Sequence, residues 1–141
     1  PSPSQNYSSA ERDAELIKIA LQIQKSSLPV IVAGDMNDVA WSHTTRLFIR
    51  LSKLLDPRQG RGFFNTFHAN YPFLRWPLDH VFLSFHFKIM HMQRLVLKGS
   101  DHFSMSVQVS LQPSKEGKNG IQQPEPKDYA EAQDKLAEVN D

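Results

Sequence analysis

Val30-Ile31-Val32-Ala33-Gly34-Asp35-Met36-Asn37-Asp38 is the stretch on which the reading of this chain turns. Three β-branched residues and an alanine read as a short buried strand. The strand stops at Gly34, and two carboxylates and a carboxamide crowd into the next four positions. Open α/β sheets build their sites in this way, by releasing polar groups at the C-terminal end of a hydrophobic strand. The same residues also suit a plain Asp/Asn turn. The rest of the chain has to decide between the two.

Upstream, Ser8 and Glu11 have the spacing of a capping box, and Ala10, Ala14, Ile17, Ala20, Leu21 and Ile23 fall near one face at a 3.6-residue period. They predict an amphipathic helix from about Ser9 to Lys25, stopped by Ser26-Ser27-Leu28-Pro29. Helix, short turn and buried strand make an α/β unit. Downstream, Trp41 to Leu55 reads as a second helix, with Ser42 as its N-cap and Leu47, Phe48, Leu51 and Leu55 as its buried stripe. Asp56-Pro57 ends it.

Arg58-Gln59-Gly60-Arg61-Gly62 is a glycine-rich loop with two arginines, able to contact an anion or simply to turn. Phe63 to His68 is a candidate strand, followed by a loop bracketed by Asn70-Tyr71-Pro72 and Trp76-Pro77. Leu78 to Ser84 is an apolar strand with its acidic residue near the start, and Phe87 to Leu97 an outer strand. From Phe103 to Leu111 apolar and polar residues alternate strictly, the period of a half-buried strand. Gln112 to Lys127 has no apolar pattern and reads as disordered or draped, and Tyr129 to Val139 as a short helix with a thin apolar stripe.

The bulk properties set limits. With 141 residues and 40% hydrophobic content the chain suits one globular domain. It has no apolar run near the roughly 18 residues of a membrane span. It opens on Pro1-Ser2-Pro3-Ser4, with no initiator Met or signal peptide, which predicts a piece of a longer protein. Cysteine is absent, so any metal must be held by oxygen or imidazole, which favours Mg²⁺, Mn²⁺ or Ca²⁺ over structural zinc. Residues 1–111 carry 12 Lys+Arg against 8 Asp+Glu, whereas residues 112–141 carry 4 against 7. A body that is only mildly basic fits a phosphate-bearing substrate and disfavours a dedicated nucleic-acid binder.

Three polar clusters sit at strand ends: Asp35/Asn37, Asp79/His80 and Asp101/His102. Each alone suits a turn or a local hydrogen bond. Together they need an explanation, because carboxylates gathered without a cation repel. A divalent cation on a phosphate needs hard oxygen ligands, and Asp101 offers one. A water attacking phosphorus needs a group to orient it and take its proton, a role open to Asp35 and His102. Asn37 offers an amide to the charge growing on the non-bridging oxygens. His102 needs a partner on its far nitrogen, and Asp79 is the natural one. Among the remaining histidines, His86 and His91 read as surface or satisfied core residues and His43 follows the helix cap, while Trp41 and Trp76 read as packing residues.

VIVAGDMND, LDHVF and GSDHF, in that order, resemble the C-terminal half of the endonuclease/exonuclease/phosphatase superfamily over roughly residues 8 to 111. The segments between them are similar to those of bacterial members. The resemblance implies an α/β fold, the C-terminal half of a four-layer α/β sandwich with a mixed β-sheet and flanking helices. It implies a metal-dependent phosphoesterase working with Mg²⁺ or Mn²⁺ on a phosphate ester, either nucleic acid or a small phosphorylated molecule. By the same resemblance Asp35 activates water, Asn37 contacts the scissile phosphate, Asp79 pairs with His102, and Asp101 is a metal ligand. Arg58, Arg61 and His68 are candidate substrate contacts. Two departures stand out: Ser104 where such enzymes often have Pro, and nothing in residues 1–29 matching the strands that bring a Glu ligand and a second catalytic His. The expectation is residues 1–111 as a partial domain lacking its N-terminal half, residues 112–141 as a polar tail, and a catalytically incomplete chain. The rival reading is a non-catalytic binding module that keeps the same fold.

Overall fold

The computed structural model describes residues 6–62, 64–71, 73, 75–112 and 120–139. Its elements run α1 (Asn6–Lys25), β1 (Ile31–Asp35), α2 (His43–Ser52), β2 (Asp79–Leu83), β3 (Phe87–Leu95), β4 (Ser104–Leu111) and α3 (Pro126–Ala137). This is an α/β fold with two small sheets, β1–β2 and β3–β4, each paired antiparallel.

The helices gather on one side of β1–β2. Leu16, Ile17 and Ala20 of α1, Leu47, Phe48, Ile49 and Leu51 of α2, Leu54, Phe82 of β2 and Ala132 of α3 form one buried cluster. Phe82 is the sheet's anchor in it, its ring centroid 5.3 Å from that of Phe48. Truncating either ring would cost roughly 3–5 kcal/mol. Side chains alternate along β2, so His80 and Phe82 face the helices while Asp79 and Val81 face the other way and are only half-buried. This alternation sends Asp79 to the site and its neighbour His80 into the core.

Several expectations hold in detail. Ser42 caps α2, its hydroxyl accepting the Thr45 N–H, and Lys53 closes the helix in the left-handed conformation. β2 and β4 lie within a residue of the expected limits, and β3 ends two residues short of Leu97.

Others do not. α1 already includes Ser8, so Ser8 does not cap it. The fully buried strand expected around Val30 to Ala33 is open on one side: Ile31 is 48% exposed and β1 pairs with β2 alone among the described residues. Its apolar residues match a two-faced burial that β2 and the helices supply only in part. No strand forms over 64–68; Phe67 makes only single bridges, to Trp76 and to His102. Phe63, Pro72 and residues 113–119 lie outside the described residues.

α3 is better anchored than its thin apolar stripe suggests, because polar contacts hold it. Glu125 and Asp128 form a capping box at its start. The Asp128 carboxylate, 1% exposed, takes a two-pronged hydrogen bond from the Arg50 guanidinium at 3.0 and 2.9 Å. Lys135 reaches Asp13 of α1 at 2.9 Å, and Tyr129 accepts from Gln24 at 2.8 Å. The Arg50 hydrogen bonds, more than burial opposes them, hold the Asp128 carboxyl below the usual carboxylate range. A depressed carboxyl stabilises the fold above its unfolded pKa and loses that contribution as pH falls. Amide exchange across Pro126–Ala137 is therefore expected to quicken selectively below about pH 4. Arg50→Ala should do the same at neutral pH, at a cost of about 3–5 kcal/mol for leaving the buried carboxylate alone.

Candidate active site

The site lies where the start of β2, the end of β1 and the start of β4 converge. Asp35 and Asp79 are cross-strand partners in the β1–β2 register, which sets two carboxylates side by side. His102, just before β4, closes the group: its Nδ1 lies 2.7 Å from Asp79 Oδ2 and its Nε2 4.0 Å from Asp35 Oδ2. The first distance is a strong hydrogen bond; the second is too long for one. Partial burial disfavours the imidazolium, but the Asp79 hydrogen bond and the charges of Asp79, Asp35 and Asp101 outweigh it and raise the His102 pKa.

The loop after β1 is held on all sides. Asp35 Oδ1 accepts the Asn37 N–H at 2.8 Å, an Asx turn, so the stretch forms the expected turn while its Asp35 also lies beside Asp79 and His102. Asn37 adopts φ +49°, a conformation that Asn tolerates better than most residues. Arg12 of α1 donates to the Asn37 carbonyl at 2.9 Å. Asp38 accepts from the hydroxyls of Ser42 and Thr45 and so ties the loop to the head of α2.

His80 secures the loop from behind. It is 1% exposed, with Nε2 2.8 Å from the Asp38 carbonyl and Nδ1 2.9 Å from Arg58 Nη2. Guanidinium can only donate, so Nδ1 accepts and the proton sits on Nε2, pointing at the carbonyl. Burial first, and the Arg58 charge second, push the His80 pKa down and keep the ring neutral. Arg58 is in turn gripped by Asp56 through Nε at 2.9 Å and Nη2 at 2.7 Å.

Of the candidate residues, the fold unites Asp35, Asp79 and His102, whose ligand atoms all lie within 4.8 Å of one another. The two carboxylates fit a hard divalent cation, and the imidazole, its Nδ1 taken by Asp79, is the least suited ligand of the three. Asp101 is exposed beside them and stands outside this trio, its carbonyl accepting the Ala69 N–H at 2.7 Å. Arg58 is buried against Asp56 and His80, and Arg61 sits on an exposed turn donating to the Pro57 carbonyl at 3.2 Å. His68 accepts the Asn70 N–H at 3.2 Å, and its ring meets that of Phe67, which itself lies 4.9 Å from the His102 ring.

Sequence reasoning missed Thr66. It is fully buried, and its hydroxyl accepts the Asp79 N–H at 3.1 Å while its carbonyl accepts the Phe103 N–H at 2.7 Å. One residue thus sets the spacing between the segments that carry Asp79 and His102. Arg94 and Arg75 lie over the Phe103 ring at 4.1 and 5.0 Å and steady the same junction. A lone threonine between Asn65 and Phe67 gives no periodic signal, so only the fold reveals it.

A family-wide sequence profile described as "Endonuclease/Exonuclease/phosphatase family" matches residues 1–102. The chain belongs to the endonuclease/exonuclease/phosphatase family. Family members are generally dependent on divalent metal and act on phosphate esters, and the trio offers a place for such an ion. Among solved structures, the fold is similar to that of the Bacteroides thetaiotaomicron mannosyl-6-phosphatase Bt3783, with a TM-score of 0.50 and 23% identity over 70% of this chain. The match covers 44% of that protein, so this family member spans less than half the length of its neighbour. No curated protein matches the sequence. Among the described residues no helix is long and apolar enough to cross a membrane.

Two measurements probe the site. By NMR, His102 is expected to titrate above the ordinary value of about 6.5, and Asp79→Asn to bring it down. The stability carried by this pair is full below that ordinary value and fades as pH rises through the raised one. Thr66→Val, which keeps the shape but strands the Asp79 N–H, is expected to cost about 1–3 kcal/mol in denaturant melts, with Thr66→Ser recovering most of it.

Proposed function

We propose that the chain carries one half of a metal-dependent phosphoesterase site that hydrolyses a phosphomonoester by in-line attack of water. The observation that supports this most directly is the His102 imidazole, hydrogen-bonded on one side to Asp79 and open on the other toward Asp35. The 4.0 Å between Nε2 and Asp35 Oδ2 leaves room for one atom within reach of both groups.

Asp35 orients the water and accepts its proton as the new O–P bond forms. The ester P–O bond breaks, and the departing oxygen takes the proton from His102 Nε2. Asp79 holds the ring in the tautomer this requires and stabilises the imidazolium before transfer. Asn37, whose backbone is fixed by the Asx turn, would offer its side-chain amide to the non-bridging oxygens. Asp35 and Asp79, with Asp101 beside them, are the residues that would contribute to holding Mg²⁺ or Mn²⁺, and the ion would supply charge neutralisation on the phosphate. Arg61 and His68 remain candidates for outer contacts with substrate; the buried Arg58 contributes by supporting His80.

The phosphatase name of the structural neighbour favours a monoester over a diester. The family resemblance also calls for a Glu ligand and a second catalytic His on strands that have no counterpart among residues 1–29. The chain by itself is therefore expected to hydrolyse weakly. A purely binding module has no need for a carboxylate-buttressed histidine facing a second carboxylate.

The test is hydrolysis of a generic phosphomonoester and phosphodiester by the chain joined to a family N-terminal half, with and without Mg²⁺. Activity should require the ion, and His102→Ala or Asp35→Asn should lower kcat by about 100-fold or more. Activity that ignores EDTA, or that survives His102→Ala, refutes the proposal.

A further inference from the structure

The family profile ends at residue 102, so α3 lies outside it, yet a line of hydrogen bonds runs from α3 to the loop that follows β1. Asp13 of α1 is its centre. Asp13 Oδ2 accepts from Lys135 Nζ of α3 at 2.9 Å and from the Thr44 hydroxyl of α2 at 2.6 Å. Oδ1 accepts from Arg12 Nη2 at 2.9 Å and Nε at 3.3 Å. One carboxylate thus joins all three helices. Burial alone would raise its pKa, but the hydrogen bonds from Thr44, Lys135 and Arg12 outweigh that and hold the carboxyl below the usual range. The side chains of Arg12, Asp13 and Lys135 are only 18%, 14% and 21% exposed, so water and salt loosen these pairs less than they loosen pairs on an open surface.

The line continues into the site. A guanidinium is planar and rigid, so gripping one edge of it through Nε and Nη2 fixes where Nη1 points. Here Nη1 donates to the Asn37 carbonyl at 2.9 Å, while Asp35 Oδ1 holds the Asn37 N–H from the other side at 2.8 Å. At φ +49° Asn37 occupies a narrow, sparsely populated well, and these two bonds keep it there. The rotamers open to a side chain depend on its backbone, so the bonds also govern where the Asn37 amide can point.

We propose that Asp13 and Arg12 are positioning residues and that α3, acting through Lys135, sets the conformation of Asn37. This rests on the phosphoesterase reading for what Asn37 does, and not for how it is held. Withdrawing the Lys135 ammonium leaves Asp13 Oδ2 to the Thr44 hydroxyl alone, and the carboxylate then grips the Arg12 fork less firmly. The Arg50–Asp128 and Gln24–Tyr129 bonds dock α3 without touching the loop, so the helix stays in place when Lys135 is changed.

Solvent-exchange NMR on the chain tests the link. Lys135→Met keeps the stem and removes the charge, and Asp13→Asn keeps the shape but turns one acceptor into a donor that faces other donors. Each is expected to speed exchange of the Asn37 amide about tenfold while leaving the amides of β2 unchanged. Lys135→Arg should retain most of the protection, and Lys127→Met, which removes the same charge from the exposed side of α3, should change nothing at Asn37. In an Arg12→Met background, Lys135→Met should have no further effect on Asn37, because the path is already cut. Unchanged exchange at Asn37 in Lys135→Met, an equal loss with and without Arg12, or a loss spread evenly over β2 overturns the proposal. In the joined protein, Lys135→Met and Asp13→Asn should lower kcat about tenfold and change KM less than twofold. An active joined protein whose kcat ignores both changes overturns the proposal and spares the phosphoesterase reading. The expected exchange pattern with no hydrolysis in the joined protein upholds the link and rejects that reading instead.

Discussion

The hydrogen bond between Asp79 and His102 is the constraint on which the arrangement depends, because it joins the two sheets through their polar ends. Asp79 opens β2 and His102 precedes β4, and no strand pairing links β2 to β4. Their meeting is secured indirectly, by the Thr66 hydroxyl on one side and the Thr66 carbonyl on the other. The helical core supplies the reference frame through Phe82. The geometry of the candidate site therefore rests on a short irregular segment held between two regular ones, a common arrangement when a site must be both fixed and open.

Local chemistry made the regular parts legible. Ser42 could be recognised as a cap because a hydroxyl before an apolar helical stripe has few better uses, and the alternation from Phe103 to Leu111 has only one sensible geometry. The partnership of Asp79 with His102 was open to anticipation because imidazole needs a tautomer-fixing neighbour and few carboxylates were available. What sequence could not supply was the long-range pairing of irregular residues. The segment after Phe63 has strand-like composition, yet it pairs only at Phe67, between Trp76 and His102, with Thr66 and Ala69 hydrogen-bonded to the same two flanking segments at Trp76, Phe103 and Asp101.

Polar residues show the same division. Arg58 on a glycine-rich loop has the signature of an anion contact, but nothing local announces that Asp56, two residues earlier, and His80, twenty-two later, enclose its guanidinium. Asp128 likewise sits in a stretch with a weak apolar pattern, and its docking depends on Arg50 from a helix far away in sequence. Apolar periodicity reports which face is buried. It is silent on which charges are buried with it, because those are decided by partners that have no fixed spacing.

The chain from Asp56 through Arg58 and His80 to the Asp38 carbonyl has an evolutionary corollary. Each member depends on the next: losing Asp56 leaves a buried cation, losing Arg58 leaves a buried anion, and losing His80 leaves both a donor and a carbonyl unmet. Single changes at these positions pass through a penalised intermediate, and their effects will not add. The three side chains should behave as one inherited unit, free to drift only by joint replacement, although none of them belongs to the trio of Asp35, Asp79 and His102.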